Sequence, residues 1–350
     1  MGETMLVGTI DGPHSASLRE VPVPEPTPDT LVVEITYCGI CGTDVHAYES
    51  GAPYPPAVCG HEWAGVISAT GSSVTGLDEG DRVVVAVPGA CGSCEPCMRG
   101  QTDYCVGIFL AQVGVDALAP PHGGFAPSIR VGPGRVMRAN PKLSDREAAQ
   151  IEPATVTFHA VVRSGIRLGD TVVVQGAGPI GLLTMQWARV AGAATVIVSE
   201  PDPRRRALAT SVGADHALAP DEVHGVLMEL TRGLGADVVY ECVGRPETVQ
   251  SAVDQVRRGG SVSIIGLSGT DAPITPGTWL VKEVTVTASL AYLRDEFERV
   301  MSVVADGRLQ LEPLHDHTVG LGGFADALAA LAAGGSAFTK VLVDPSDGRR

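Results

Sequence analysis

The segment Val172-Val-Val-Gln-Gly-Ala-Gly-Pro-Ile-Gly181 decides the fold class of this 350-residue chain. Its run of valines predicts a buried strand, and the G-x-G-x-x-G pattern that follows predicts a tight turn into a helix. Glycines at these positions let a pyrophosphate approach the helix N-terminus closely. The expected dinucleotide contacts are Gly176, Gly178, Pro179, Ile180 and Gly181. The alternative is an ordinary glycine-rich turn between a strand and a helix.

Around this segment, apolar strands alternate with amphipathic helices. The strands that the sequence predicts are 172–175, 195–199, 216–218, 237–241 and 261–265. Runs of Val and Ile with helices between them are typical of a parallel sheet that is covered on both faces. We therefore predict an α/β fold with a doubly wound, Rossmann-type parallel sheet.

The N-terminal part of the chain has a different composition. Up to about Arg138 it is rich in Gly and Pro, and turn residues separate its short β-branched runs, which predicts a small, mostly antiparallel β-domain. Residues 110–122 are expected to form a loop, and the last strand, 340–343, is expected to return to this domain. The predicted division is 1–153 for a catalytic β-domain, 154–289 for a nucleotide-binding domain and 290–350 for a segment that completes the first domain.

Four cysteines lie close together between residues 88 and 106. Cys91, Cys94, Cys97 and Cys105 have C-x2-C-x2-C-x7-C spacing, and four thiolates so spaced can enclose one tetrahedral zinc ion. All-sulfur ligation fits zinc or an iron–sulfur cluster. A zinc with four protein ligands has no position for substrate, so this lobe is expected to be structural. The alternatives are disulfides, which the lack of an export signal disfavours, and four free thiols.

Charge and composition exclude several classes of partner. The formal net charge of −15 argues against nucleic acid or an anionic membrane surface. Residues 1–6 lack the basic and apolar regions of an export signal, and no run of roughly 20 apolar residues is present. We expect a cytoplasmic protein that does not bind membranes.

Glu200 is the residue from which the choice of nucleotide is predicted. It follows the strand 195–199, about 20 positions after the glycine loop, where an acidic residue binds the adenosine ribose. A carboxylate accepts both ribose hydroxyls and repels a 2′-phosphate, so NAD is expected rather than NADP. Three consecutive arginines follow, Arg204, Arg205 and Arg206. They would favour NADP if they bind the 2′-phosphate, and they have no bearing on the choice of nucleotide if they only form a solvated helical turn.

Two later strand ends are expected to lie near the nicotinamide. Val243 follows the strand 237–241, and Gly266 and Leu267 follow the strand 261–265. The carboxyl ends of parallel strands line the cofactor crevice in such sheets. The alternative is that both segments are plain turns.

A second group of metal-binding residue types lies in the β-domain. Cys41 belongs to the run Cys38-Gly-Ile-Cys-Gly-Thr-Asp-Val-His46, and His61 and Glu62 follow Gly60. A thiolate, an imidazole and one or two carboxylates can bind zinc and leave a position for water or an alcohol. The alternative is a half-buried cysteine and a hydrogen-bonded histidine that bind no metal.

These motifs together resemble the zinc-dependent medium-chain dehydrogenase/reductase family over essentially the whole chain, and in particular its sorbitol, glucose and threonine dehydrogenase branch. The resemblance implies a GroES-like β-domain, Cys41 and His61 as catalytic zinc ligands, and Glu62 as a ligand or a support of the metal. It implies a fourth ligand, direct or through water, at Glu152, where a glutamate replaces a later cysteine of other alcohol dehydrogenases. It also implies dimers or tetramers that form at the edges of the nucleotide-binding sheets.

The resemblance further implies a proton relay. Thr43 and His46 match the hydroxyl and the imidazole that carry the substrate proton to the protein surface; the alternative for His46 is an ordinary surface histidine. Arg205 matches the basic residue beside the adenosine in NAD-using members. Ala291-Tyr292 stands where many polyol dehydrogenases have Arg-Tyr, so a sorbitol-like binding mode is not implied.

The implied function is oxidation of a secondary alcohol to a ketone with hydride transfer to NAD, in an enzyme with one catalytic and one structural zinc per chain. The implied substrates are polyols, sugars, amino-sugars or aminocyclitols, and hydroxy-amino acids. One alternative is an aldehyde or thiol-adduct dehydrogenase on the same scaffold, and another is a non-catalytic, NAD-binding structural or regulatory protein. Zinc-free quinone or enoyl reduction is disfavoured because it uses neither metal motif.

Overall fold

In a computed structural model, which describes residues 2–52, 54–334 and 338–349, the chain forms two compact units. Unit 1 comprises Met1–Glu152, Leu293–Ala305 and His315–Arg350. Unit 2 comprises Pro153–Tyr292 and Asp306–Leu314. Among the described residues, no helix combines the length and the apolar content that crossing a membrane requires.

The secondary structure of the described residues is numbered in chain order. The strands are β1 Thr4–Gly12, β2 Ser15–Pro22, β3 Leu31–Gly39, β4 Glu62–Thr70, β5 Arg82–Val85, β6 Ser128–Val131, β7 Val136–Arg138, β8 Thr171–Gln175, β9 Thr195–Ser199, β10 His216–Leu218, β11 Ala236–Glu241, β12 Val256–Ile264, β13 Thr285–Ala288, β14 His315–Gly320 and β15 Lys340–Asp344. The α-helices are α1 Gly42–Ser50, α2 Glu95–Met98, α3 Val106–Gln112, α4 Asp145–Ala149, α5 Ile151–Arg163, α6 Pro179–Val190, α7 Pro203–Ser211, α8 Pro220–Leu230, α9 Pro246–Gln255, α10 Pro276–Lys282, α11 Arg294–Ala305 and α12 Phe324–Ala332.

Unit 2 is built on a parallel sheet with the strand order β10-β9-β8-β11-β12-β13. Val173, Val239 and Val262, on three adjacent strands, are fully buried in its core. After β8 the chain adds β9 and β10 on one side of the sheet, and then β11, β12 and β13 on the other side. The boundary between β8 and β11 is therefore the switch point at which such sheets bind ligands. The prediction of a doubly wound parallel sheet is confirmed. The edge strand β13 was not predicted, because its four residues are exposed or half-buried.

Unit 1 contains a sheet with the order β14-β15-β3-β4-β5-β7, in which β6 also pairs with β3. All its pairs are antiparallel except β14 with β15. Phe125 and Phe324 pack against each other in its core, with ring centroids 4.4 Å apart and ring planes inclined at 41°. The predicted β-domain and the predicted return of the last strand are confirmed, since β15 pairs with β3.

The predicted loop at residues 110–122 is partly wrong. The helix α3 extends to Gln112, because Ile108 and Ala111 are three positions apart and both turn into the interior. The hairpin β1–β2 and the strand β14 were not predicted either. In β14 half-buried residues alternate with exposed ones, and its first three residues are His-Asp-His, which is an unusual composition for a strand.

Candidate functional site

Cys41, His61 and Glu62 lie together beside the antiparallel pair β3 and β4. Gly39 of β3 pairs with Glu62 of β4, so the chain that leaves β3 is a neighbour of the chain that enters β4. One sulfur, one imidazole nitrogen and one carboxylate oxygen from these residues all lie within 4.8 Å of one another. Donors of these three types at such separations fit a zinc ion.

The backbone orients the imidazole of His61. Its Nδ1 lies 2.8 Å from the carbonyl oxygen of Val58, and its Nε2 lies 3.5 Å from the hydroxyl of Thr43. The same hydroxyl donates to the sulfur of Cys41 at 2.9 Å. Nε2 of His61 and the sulfur of Cys41 therefore both lie near the same hydroxyl group. An ion bound by the two residues would need to lie between this nitrogen and this sulfur.

Glu152 adds negative charge to this centre. It is only 5% exposed and lies in the first turn of α5. Burial opposes protonation of His61, but the negative charges of Cys41, Glu152 and Asp44 hold the pKa of the imidazole well above its ordinary value. Glu152 is not among the residues whose ligand atoms lie within 4.8 Å of one another, which are Cys41, His61 and Glu62. Its role as a fourth ligand therefore stays a prediction.

Asp44 joins the two loops of the centre, although the sequence motifs assign no role to it. Its fully buried carboxylate accepts hydrogen bonds from the backbone of Cys41 at 2.9 Å and of Gly60 at 3.1 Å. The hydroxyl of Tyr54 donates to it at 2.9 Å. Burial raises the pKa of Asp44. The signal in the sequence is the position of Asp44 three residues after Cys41, as in a capping box at the start of α1.

Lys340, the first residue of β15, is a second residue that the motifs do not single out. Its ammonium group forms an ion pair with the carboxylate of Glu62, and both side chains are 2% exposed. It also donates to the carbonyl oxygen of Ile40 at 3.0 Å. Burial opposes the charge on Lys340, but Glu62, Cys41 and Glu152 hold its pKa above the ordinary value. Glu62 is thus paired with a cation of the chain itself.

The two predicted relay residues both lie on α1, in different surroundings. Thr43 contacts the sulfur of Cys41 directly. The side chain of His46 is 55% exposed, and its Nδ1 lies 3.6 Å from a carboxylate oxygen of Glu49. His46 is thus a surface residue, and the relay that would connect it to Thr43 stays a prediction.

The four-cysteine lobe of unit 1 brings all its sulfur atoms together. The sulfurs of Cys91, Cys94, Cys97 and Cys105 lie within 4.8 Å of one another. The φ angles of 71° at Gly92 and 77° at Gly100 allow the chain to turn tightly around them. All eight cysteines of the chain are described and free, so the disulfide alternative is not supported.

Hydrogen bonds favour the thiolate form of Cys91 and Cys105, whereas burial and the neighbouring cysteines raise the pKa of Cys97 to about 12. The backbone N–H of Cys91 donates to the sulfur of Cys105 at 3.3 Å, and that of Cys94 donates to the sulfur of Cys91 at 3.4 Å. Hydrogen bonds from Ser93 and Cys94 lower the pKa of Cys91 to about 5. Thiolates are the form that binds metal, so this donor set fits a closed, four-sulfur zinc site.

The glycine loop of unit 2 has the geometry of a phosphate cradle. Gly176 has a φ angle of 90°, and Gly178 is the N-cap of α6, which begins with Pro179. A Cβ at Gly181 would overlap the carbonyl oxygen of Gly176, whereas a Cβ at Gly178 would meet nothing within 4 Å. Gly181 therefore permits the close packing of the helix, and Gly178 leaves open space at its N-terminus, where a phosphate fits.

Glu200, at the end of β9, also supports this loop. It is 4% exposed, and its two carboxylate oxygens accept the N–H groups of Ala177 at 2.8 Å and of Asp202 at 2.9 Å. The carboxylate is therefore held beside the glycine loop. Each oxygen keeps a further lone pair for a ligand hydroxyl.

The neighbouring arginines differ in their partners. Arg204 forms an ion pair with Asp202 at 3.3 Å. Arg206 donates to the backbone carbonyl of Glu200 at 2.8 Å. Arg205 lies between them in the first turn of α7, where its N–H donates to Asp202 at 3.3 Å. At least two of the three guanidinium groups are thus engaged within the chain.

The predicted nicotinamide-side residues lie on neighbouring turns. A carboxylate oxygen of Glu241, the last residue of β11, accepts the N–H of Val243 at 2.8 Å. The N–H of Gly266, which follows β12, donates to the carbonyl oxygen of Glu241 at 2.9 Å. Val243 and Leu267 are 39% and 57% exposed. Two apolar side chains are thus presented at the carboxyl ends of β11 and β12.

Comparisons with known proteins agree with this geometry. The family model described as "Alcohol dehydrogenase GroES-like domain" matches residues 27–141, and the one described as "Zinc-binding dehydrogenase" matches residues 179–306. The sorbitol dehydrogenase of Bacillus subtilis is 35% identical over 273 residues, which cover 76% of each chain.

Two solved structures share the whole architecture. A short chain alcohol dehydrogenase from Escherichia coli CFT073, complexed with NADH, matches with a TM-score of 0.86 at 27% identity, over 98% of this chain and 100% of that chain. A structure described as a zinc-binding dehydrogenase from Sinorhizobium meliloti 1021, bound to NADP, matches with a TM-score of 0.82 at 32% identity, over 99% and 100%.

Proposed function

Since the chain belongs to the zinc-binding alcohol dehydrogenase family, we propose that it oxidises a secondary alcohol to a ketone and transfers the hydride to NAD+. The observation that carries this proposal is the convergence of Cys41, His61 and Glu62 within 4.8 Å in unit 1. In the balanced reaction the carbinol carbon gives a hydride to the nicotinamide ring and the hydroxyl gives up a proton. One alcohol and one NAD+ therefore yield one ketone, one NADH and one proton.

We propose that each chain binds two zinc ions. The four-cysteine lobe holds one, with no position left for substrate. Cys41 and His61 hold the other, with Glu62 as a further ligand or a support of the metal and Glu152 as a ligand directly or through water. When bound there, zinc acts as a Lewis acid on the substrate oxygen. The hydroxyl of Thr43 would take the substrate proton as it passes its own proton on through the cofactor ribose to the exposed imidazole of His46, which would release a proton to the solvent.

The two units have separate roles in this proposal. Unit 1 is the catalytic domain, because it contains both metal-binding groups. Unit 2 is the nucleotide-binding domain, in which the glycine loop holds the pyrophosphate and Glu200 and Arg205 lie on the adenosine side. Val243, Gly266 and Leu267 line the nicotinamide side.

The proposed substrates are polyols, sugars, amino-sugars or aminocyclitols, and hydroxy-amino acids. The similarity to a sorbitol dehydrogenase supports this class of substrates. Because Ala291-Tyr292 stands where many polyol dehydrogenases have Arg-Tyr, we expect this chain to bind its substrate differently from the way those enzymes bind sorbitol. The test is a screen for NADH formation over these compounds, with aldehydes and thiol adducts as the comparison. Turnover of secondary alcohols supports the proposal, and turnover of aldehydes alone contradicts it.

Glu200→Ala is expected to weaken NAD binding by roughly 10- to 100-fold, since it removes charged hydrogen bonds to the ribose. NADP binding is expected to change much less, because the substitution also removes the charge that repels the 2′-phosphate. Titration of the protein with both dinucleotides measures the two dissociation constants. Asp202→Asn is the matched control, since it alters the other acidic residue at this strand end. Equal losses for NAD and NADP in Glu200→Ala would overturn the assignment.

We also propose that the protein forms dimers through the free edge of β13. This strand ends the parallel sheet, and the neighbouring Leu280 and Val281 are 79% and 72% exposed. Leu280→Asp with Val281→Asp is expected to raise the dimer dissociation constant at least about a hundredfold, because it places charges in an apolar interface. Light scattering across a dilution series measures the change in mass. Leu168→Asp, at a leucine before β8 that is 88% exposed, serves as the control. An unchanged mass in the double variant would refute this interface.

A further inference from the structure

The hydroxyl of Tyr54 contacts both of the loops that form the candidate metal centre. It donates at 2.9 Å to a carboxylate oxygen of Asp44, and it lies 3.2 Å from the carbonyl oxygen of Val58. Its ring is half-buried against the hydrophobic core of unit 1. Tyr54 belongs to none of the motifs that identify the centre in the sequence. Packing holds this side chain at one end, and two polar contacts hold it at the other.

The first contact connects Tyr54 to the loop of Cys41. The Asp44 oxygen that binds Tyr54 also accepts the N–H of Gly60 at 3.1 Å, and the other oxygen accepts the N–H of Cys41 at 2.9 Å. Burial and the negative charges of Asp44 and Cys41 raise the pKa of Tyr54 well above its ordinary value. The hydroxyl therefore keeps the proton that it donates.

The second contact connects Tyr54 to His61. The carbonyl oxygen of Val58 that Tyr54 approaches also lies 2.8 Å from Nδ1 of His61. When Nε2 of a histidine binds a metal, Nδ1 carries the proton, and the group that accepts this hydrogen bond orients the ring. Here that group is a backbone carbonyl in the three-residue turn Pro56–Val58. The orientation of the imidazole thus depends on what holds this turn in place.

We propose that Tyr54 is a positioning residue, which ties the carbonyl of Val58 to the carboxylate of Asp44 and so fixes the imidazole of His61 relative to the sulfur of Cys41. The inference rests on the proposed function, because it concerns zinc bound by Cys41 and His61. Without the hydroxyl, the turn loses this link to Asp44, and the imidazole can rotate away from the metal. Loss of a group that orients a metal-binding histidine typically costs about 10- to 100-fold in metal affinity or activity.

Tyr54→Phe removes only the hydroxyl and is expected to speed the release of zinc from the Cys41 site by about tenfold or more. Release from the full-length protein is measured with a chromophoric chelator. The absorption bands of cobalt(II) placed in the same site report its ligand geometry, and we expect them to shift in the variant. Zinc release from the four-cysteine lobe is expected to stay at the wild-type rate.

Tyr48→Phe is the matched control. Tyr48 is a buried tyrosine of α1, and its ring packs edge-on against His14, with ring centroids 5.4 Å apart. The substitution removes a hydroxyl from the same core without removing a contact to Asp44 or Val58. It is expected to leave both the rate of zinc release and the cobalt bands as in the wild type.

A second pair of variants tests whether Tyr54 acts through the imidazole. His61→Cys supplies a thiolate, which binds zinc but has no Nδ1–H to donate to Val58. In this background the further substitution Tyr54→Phe is expected to change zinc release by less than about twofold, because the interaction through which Tyr54 acts is already absent. A tenfold acceleration in both backgrounds would show that the hydroxyl acts on packing alone, and the proposal would be wrong.

The remaining outcomes separate this inference from the proposed function. Zinc release from Tyr54→Phe at the wild-type rate overturns the inference. Faster release from both metal sites, or a variant that does not fold, also overturns it, since the hydroxyl would then support unit 1 as a whole. A wild-type protein that holds zinc only in the four-cysteine lobe would overturn the proposed function itself, whatever the behaviour of Tyr54→Phe.

Discussion

Cys41→Ser is expected to reduce kcat/KM by about a thousandfold or more, because loss of the Lewis acid raises the barrier by about 4 kcal/mol. Serine is a far weaker zinc ligand than a thiolate. The substitution is small, and Cys41 lies at the N-cap of α1, where its backbone N–H still donates to Asp44. The fold and the dinucleotide site of unit 2 are therefore expected to stay intact.

The measurement combines steady-state kinetics with metal analysis and NAD titration. Cys41→Ser is expected to contain one zinc ion per chain in place of two and to bind NAD as the wild type does. Cys59→Ala is the matched control, because Cys59 is a buried thiol two residues before His61 and lies outside the ligand group. It is expected to keep both zinc ions. Wild-type turnover by Cys41→Ser would exclude Cys41 as a ligand.

Cys105→Ser is expected to have the largest effect on stability. Cys105 is 1% exposed and accepts the backbone N–H of Cys91, so its sulfur belongs to the lobe's interior. Structural zinc contributes about 10–16 kcal/mol to the folding of small zinc-binding peptides. Loss of even about 4 kcal/mol of this would lower the Tm by roughly 10 °C in a chain of this size.

Calorimetry and limited proteolysis measure this effect. The lobe is expected to become the first site of cleavage, and the tightly held zinc is expected to be lost while the ion at Cys41 remains. Ser93→Ala removes only a side-chain contact to Cys91 at 3.6 Å and is expected to change the Tm by about 2 °C or less. An unaltered Tm and zinc content in Cys105→Ser would show that the four cysteines do not form a metal site.

The parts of the fold that the sequence predicts are those with strong local patterns. The valine-rich strand β8 and the glycine loop after it identify unit 2, because a buried parallel strand and a phosphate turn have characteristic compositions. β13 and β14 escape prediction because they are short or polar and take their strand conformation from the neighbour with which they pair. α3 escapes because only Ile108 and Ala111 mark its buried face.

The residues of the candidate site likewise include some that the sequence alone predicts and some that it does not. Cys41, His61 and the four lobe cysteines are recognisable as candidate metal ligands, because cysteine and histidine are rare residue types and occur here at characteristic spacings. The sequence alone does not identify Lys340 as part of the site, because this residue lies 278 positions from Glu62. A lysine beside an apolar strand normally indicates only a strand end. Gly39 admits this pair, because a Cβ there would lie 2.9 Å from Cε of Lys340, and this role depends on three strands at once. Such contacts between distant residues follow from the sheet order and not from any local motif.

The proposed reaction requires a zinc ion between Cys41 and His61 with a position open to substrate. An anomalous difference map from crystals of the protein, with data on both sides of the zinc absorption edge, tests it most directly. We expect two peaks per chain, one enclosed by the four lobe sulfurs and one bonded to the Cys41 sulfur and Nε2 of His61. A single peak in the lobe, with no density between Cys41 and His61, would contradict it.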